Sequence, residues 1–424
     1  MSEVGASLAD AALDTPGLGE VARKALAASL LEARLDLVVK QRFEAGAPGL
    51  AVEDEEAVRD AVLAHLGGLG EIERLLASDP TIENINADGH DTVWVEYNDG
   101  RKASAEPIAA SDDHLADLVR LWAATEGHTE RRFDAAQPSV TFRLRDGSRL
   151  TAVHRALAGR TVVQIRRFSE EALRADVAWL ARRGTVNALL ASLLPALVRA
   201  RRSIVVTGDT DAGKTTSLRA LINEIPAEER VILVEDDQEL QPPAERHPDM
   251  VELECRNKNI EGEGEVTMRG LCRLALRLNG DRVIVGEVRG PEILDMFQAM
   301  THNRGSMGTV HARSAEHGFQ QMRRYAVRGP EQLTFEAAAL DIASSVNFVV
   351  HVEKLPGGRR VVSAVHEVVG YDGAAVLSNE VLGPDRWGRA VPTGVGLQDD
   401  TQEALAAAGH DLALWRLPDG GWTQ

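Results

Sequence analysis

Two cysteines, Cys255 and Cys272, are all that the 424 residues contain. They form no CxxC pair and join no histidine cluster at metal-ligand spacing, which argues against a structural zinc framework. Two reduced, buried thiols are the expectation. Aromatic residues make up only 4% of the chain, so its cores must rest on Leu, Val, Ile and Ala. An excess of basic residues is also missing: 47 Lys and Arg against 65 Asp and Glu leave a formal charge of −18. Such a surface repels nucleic acid and anionic lipid at long range, so no stable grip on a phosphate backbone is expected. The longest apolar stretch, Val186 to Val198, is interrupted by Asn187, Ser192 and Pro195 and is too short to cross a bilayer. Residues 1–18 carry acids and no apolar core, unlike a signal peptide. The expected protein is cytoplasmic and reaches a membrane only through partners.

What is present divides the chain. Apolar residues at helical spacing predict helices over Glu20–Phe43 and Glu55–Leu66, closed by glycines. Residues 1–66 are read as an N-terminal helical segment. Residues 67–170 have mixed texture: a short helix at Glu71–Leu76, a strand over Thr92–Tyr97 turning at Asn98-Asp99-Gly100, and a helix at Leu115–Ala124. Strands follow at Val140–Leu144, Arg149–Val153 and Thr161–Phe168. A charged linker is expected over 171–185. From 186 to 372, strands alternate with helices, which implies a mostly parallel sheet with covered faces. The tail, 373–424, holds Trp387, Trp415 and Trp422 and reads as a small appended element.

One motif carries chemistry. Gly208-Asp209-Thr210-Asp211-Ala212-Gly213-Lys214-Thr215, followed by Thr216, fits G-x-x-x-x-G-K-[ST] between an apolar strand, Ser203–Thr207, and a helix, Thr215–Asn223. Successive loop amides and a helix N-terminus can cradle phosphates. Lys214 would reach the β/γ oxygens and Thr215 would complete magnesium coordination. Asp209 and Asp211 stand where Gly or Ser is common, and two carboxylates beside phosphates repel them unless they turn away or pair with a cation. Acids also follow two apolar strands, Glu235-Asp236 after Val231–Val234 and Glu287 after Ile284-Val285-Gly286, where they can hold a magnesium water shell or polarise water. Arg269, Arg273 and Arg277 recur every four residues and are expected on one helical face, a solvated or salt-bridged stripe or, in an oligomeric ATPase, one that reaches a phosphate across a subunit boundary.

These pieces in this order resemble the CpaF/TadA motor ATPases of tight-adherence pili, within the type II/type IV secretion ATPase superfamily. The likeness runs from about Gly67 to about Gly370. It is carried by Gly68–Leu76, Ile82–Asn86, Asp146–Leu150, Ile165–Phe168, Asn259–Thr267 and Asp281–Gly290. The resemblance implies an α/β fold, with an N-terminal mixed α/β domain ahead of a C-terminal RecA-like P-loop ATPase domain. It makes Gly208–Thr215 the Walker A loop, Glu235-Asp236 the acidic box, Glu287 the Walker B glutamate after Gly286, and His311 the residue beside the γ-phosphate. Arg149 and Arg166 would reach the nucleotide. ATP and Mg²⁺, a homohexameric ring and an inner-membrane platform protein are implied with them. Which glutamate, Glu235 or Glu287, serves as base stays open. Two other readings stay open too: a nucleotide-binding subunit with little hydrolysis, motivated by Asp209 and Asp211, and a DNA-moving conjugation motor, which the net charge disfavours.

Overall fold

The computed structural model describes residues 71–422 apart from 127–131, 145, 169, 257 and 259–262. The helices expected within 1–66 lie outside the described residues, as do Gly68–Gly70 and Asn259–Gly262. Two units divide the chain, residues 1–169 and 170–424.

The first unit runs α1 (Glu71–Ser78), β1 (Ile82–Asp88), β2 (Val93–Tyr97), β3 (Lys102–Ala105), α2 (Asp112–Glu126), β4 (Ser139–Arg143), β5 (Arg149–Val153), α3 (Arg155–Ala158) and β6 (Val162–Arg166). Its six strands form one sheet in the order β3-β2-β1-β6-β5-β4, every neighbour antiparallel. The turn after β2 forms as the Asn-Asp-Gly signal requires, with Gly100 at φ 84°. Alternation puts Ile85, Leu150 and Ile165 on the covered face, against Leu115, Val119 and Trp122 of α2.

The second unit opens with α4 (Glu170–Leu173), α5 (Val177–Arg182) and α6 (Ala188–Arg199). It continues with β7 (Ile204–Gly208), α7 (Lys214–Ile222), β8 (Val231–Glu235), β9 (Met250–Glu254), α8 (Met268–Ala275), β10 (Arg282–Val288) and α9 (Ile293–His302). It ends with β11 (Met307–His311), α10 (Ala315–Val327), α11 (Phe335–Ser345), β12 (Phe348–Lys354), β13 (Arg360–Tyr371), β14 (Val376–Pro384), β15 (Ala390–Pro392), α12 (Asp399–Ala407) and a 3₁₀ turn, Leu412–Arg416. Nine strands make one sheet, ordered β15-β14-β13-β12-β7-β11-β10-β8-β9. From β12 to β9 every pairing is parallel, while β13 to β15 extend one edge antiparallel.

The central strands are apolar on both sides because both faces are covered. Ile204 and Val206 of β7, with Val231 and Leu233 of β8, enter one core with Leu190, Leu193 and Leu197 of α6. Val205, Ile232 and Val234 enter the other, with Leu271, Met296 and Ile342. Val177 and Leu180 of α5 are buried in the first of these cores, so residues 170–185 fold as part of the second unit. The tail joins it as well: β14 and β15 extend the sheet, and Leu397 and Leu405 pack into the same core. Cys272 is buried and Cys255 half-buried, both as free thiols.

Candidate nucleotide-binding site

Parallel strands send their C-terminal ends to one edge of a sheet, where open α/β folds place their ligands. Four candidate residues reach that edge for this reason alone: Gly208 ends β7, Glu235 ends β8, Glu287 is next to last in β10 and His311 ends β11. His311 lies opposite Gly208 in the ladder. Val234 lies opposite Val285, which sets Glu235 beside Gly286.

The loop from Gly208 to Lys214 has the backbone that its residues permit. Gly213 at φ 96° begins α7 in the left-handed region, where a side chain is strained, and Asp211 adopts φ 59°. A Cβ on Gly208 would stand 2.5 Å from the Val352 carbonyl oxygen, so only glycine lets the chain turn here. The first amides of α7 have no intrahelical partner and point their positive dipole end at the loop. Lys214 is nine-tenths buried, and its Nζ donates to the Asp209 carbonyl at 3.0 Å. Burial pulls the Lys214 ammonium below its ordinary pKa, while the carboxylates of Glu287 and Asp209 act to hold its charge. A glycine turn, a helix start, a buried ammonium and the hydroxyl of Thr215 form a donor set suited to a phosphate chain.

Both loop acids are paired. Asp209 Oδ1 lies 3.2 Å from His311 Nε2 and accepts the Thr210 amide at 2.7 Å. That amide, helped by the charges of His311, Arg313 and Lys214, holds its carboxyl below the usual range. Asp211 faces the β12–β13 hairpin. Its carboxylate accepts from Lys354 Nζ and, at 2.6 Å, from Arg360 Nη2, and Arg360 Nε binds its carbonyl at 3.0 Å. Partial burial raises the Asp211 carboxyl, but the two cations more than offset it, leaving it below its ordinary value.

Glu235 and Glu287 occupy different surroundings. Glu235 is 3% exposed, and its Oε1 accepts the amides of Glu239 and Leu240 at 3.1 and 3.0 Å. Its Oε2 has no partner among the described residues. Burial pushes the carboxyl up to about 8, against the pull of those two amides. A Cβ at position 286 would meet Glu235 Cγ at 2.9 Å, so Gly286 is the space that Glu235 occupies. Glu287 is half-buried and takes hydrogen bonds from Arg289 at 2.6 and 3.0 Å. A cavity of about 240 Å³ beside it is lined by Asp236, Thr267, Arg269, Arg289 and Glu292 among others.

Arg149 and Arg166 lie in the first unit, directly opposite each other on β5 and β6, and Arg143 of β4 continues the row. Two of the three stripe arginines, Arg269 and Arg273, lie on one helix and are salt-bridged. Arg269 and Arg273 bind Asp295 at 2.7 and 2.9 Å, Arg269 also binds Glu331, and Arg277 falls beyond the end of α8. Lys354 and Arg360 lie 143 and 149 residues from Asp211, and no local signal in the sequence marks them. Arg289 falls within Asp281–Gly290, two residues after Glu287.

A family model for type II/IV secretion system proteins matches residues 66–360. The chain belongs to this family of type II/IV secretion system proteins. A Mycobacterium tuberculosis relative, provisionally named a conjugal transfer protein, is 35% identical over 354 residues, 82% of this chain and 93% of its own length. The type IV secretion system protein PtlH of Bordetella pertussis is 34% identical over 172 residues, 39% of this chain and 50% of its own. A crystal structure of the pilus retraction motor PilT with bound ADP aligns over 84% of this chain and 94% of that one, at TM-score 0.52 and 16% identity. That likeness concerns the fold, a RecA-like sheet preceded by a mixed α/β domain. Among the described residues no helix is long and apolar enough to cross a membrane.

Proposed function

We propose that this secretion-family chain is a magnesium-dependent ATPase motor of the CpaF/TadA type, powering tight-adherence pilus assembly or protein export. On this reading it works as a homohexameric ring on the inner face of the membrane, coupled to a platform protein. The observation that carries the proposal is the convergence of Gly208–Thr215, Glu287 and His311 at one edge of a parallel sheet, with Lys214 buried in the loop. Lys214 and the loop amides bind the phosphates. Thr215 and Glu287 are the residues that would hold magnesium brought with the nucleotide, which would neutralise phosphate charge there. Glu287 is the better base, because its carboxylate is solvent-accessible and within Coulombic reach of Lys214, while Glu235 is buried and committed to two amides. Arg149 and Arg166 supply an anion-binding pair on the first unit. Turnover drives rigid-body movement that the platform protein receives.

The pairing of Asp209 and Asp211 removes much of the motive for a subunit that binds without hydrolysing. The name of the mycobacterial relative favours a second reading, a conjugation motor. Phosphate release by the full chain with magnesium and ATP tests both. The expected result is steady turnover, abolished in Lys214→Ala with the circular dichroism spectrum retained, and indifferent to added DNA. Undiminished turnover in Lys214→Ala contradicts the site; a DNA-stimulated, salt-sensitive rate selects the conjugation reading.

A further inference from the structure

On the opposite edge of β12 from β7, three side chains from three elements converge without touching. Glu316 comes from the first turn of α10, His366 from β13 and Glu380 from β14. His366 and Glu380 are cross-strand partners. The register slips between Val365 and His366, and such an irregularity re-aims side chains. His366 is 4% exposed, and its Nε2 has no hydrogen-bond partner among the described residues. That nitrogen faces Glu316 Oε1 at 3.6 Å and Glu380 Oε1 at 3.9 Å. An imidazole N–H aimed at a carboxylate closes to about 2.8 Å, so these separations are those of groups held apart. Two donors on one tetrahedral ion, each about 2.1 Å from it, stand roughly 3.4 Å apart.

We propose that Glu316, His366 and Glu380 form a binding site for a divalent transition-metal ion of the zinc class. Imidazole nitrogen and carboxylate oxygen are both donors that such ions accept, and three of them leave a further position for water. The second layer is already built. His366 Nδ1 lies 3.2 Å from Ser378 Oγ, the partner that orients a ligating imidazole and leaves Nε2 for the metal. The Phe319 ring packs edge-on at 6.1 Å and holds the imidazole in place. Both carboxylates are partly exposed, so an ion enters from solvent. Bound there, it ties α10 to the β13–β14 hairpin. The site shares no residue with the phosphate loop, and the proposal holds whether or not the chain hydrolyses ATP.

Full-length protein freed of metal with a chelator is titrated with zinc chloride by calorimetry, without nucleotide. The expected result is one saturable site per chain, micromolar or tighter, that also raises the melting temperature. Glu316→Gln and Glu380→Gln, substitutions at partly exposed positions that leave the fold standing, each weaken that site by roughly tenfold or more. Lys214→Ala binds zinc as the parent does. Absence of a saturable site overturns the proposal. So does a site that both glutamine variants retain at parental affinity, since zinc would then be held elsewhere.

Discussion

Asp211 combines a left-handed backbone with two ion pairs, and it occupies the loop proposed to accept a triphosphate. Its cations, Lys354 and Arg360, are spent on it rather than on phosphate. Replacing it by asparagine keeps a residue that tolerates φ 59° while removing one negative charge from the loop. Asp211→Asn is therefore expected to tighten ATP binding by roughly 2–10-fold, since a unit charge at loop distance contributes on the order of 1 kcal/mol, as read by calorimetric titration. Weaker binding would mean that the ion pairs shape the loop more than their charge opposes the ligand. Glu235 makes a different prediction. Its carboxyl is raised from 4.5 to about 8 in the folded chain, so the native state holds a proton that the unfolded chain releases. Stability consequently falls as pH rises from about 4.5 to about 8. Glu235→Gln keeps an acceptor for the Glu239 and Leu240 amides and removes the titration. Urea unfolding should show that this variant loses the decline across that window and gains a few kcal/mol at pH 8 relative to the parent; an identical pH profile would contradict the buried carboxyl.

Asn187 shows how an element is anchored. Its side chain caps α6 by accepting the Leu190 amide at 2.8 Å, and its Nδ2 reaches the carbonyls of Ala390 and Asp419 at 3.1 and 3.3 Å. Trp422 Nε1 meets the same Ala390 carbonyl at 2.8 Å, so one asparagine joins the start of α6 to the tail. Asn187→Ala should cost about 1–3 kcal/mol in urea unfolding, more than a cap alone; a loss below ~0.5 kcal/mol would show that the tail is not tied there. Elements with strong local signals were legible. The strand over Arg149–Val153 matches its expected bounds, and the hairpin turn at Gly100 and the strand–loop–helix around Gly208 stand where the residues indicate. Others carried no readable period. All of β9 is half-buried and its MVELE sequence mixes acids with apolar residues, while β13 is buried over most of its length and α11 is rich in alanine. Tertiary cover rather than local pattern decides such segments. The candidate site was legible wherever strand ends carry it, because a parallel sheet gathers them by topology. Its ion pairs were not, because Lys354 and Arg360 reach Asp211 through β12 beside β7.

At the scale of the whole molecule, acidity and architecture point the same way. A charge of −18 leaves little for a nucleic-acid track, and a P-loop domain behind a second α/β unit suits a machine that converts nucleotide state into movement. Every role assigned to Lys214, Thr215, Glu287 and His311 depends on a triphosphate lying in the loop between β7 and α7. The direct measurement is the affinity of the purified full chain for ATP and ADP with magnesium, by calorimetry or a fluorescent nucleotide. Saturable binding that Lys214→Ala loses is the predicted result. No detectable affinity for either nucleotide in the parent chain would contradict the account.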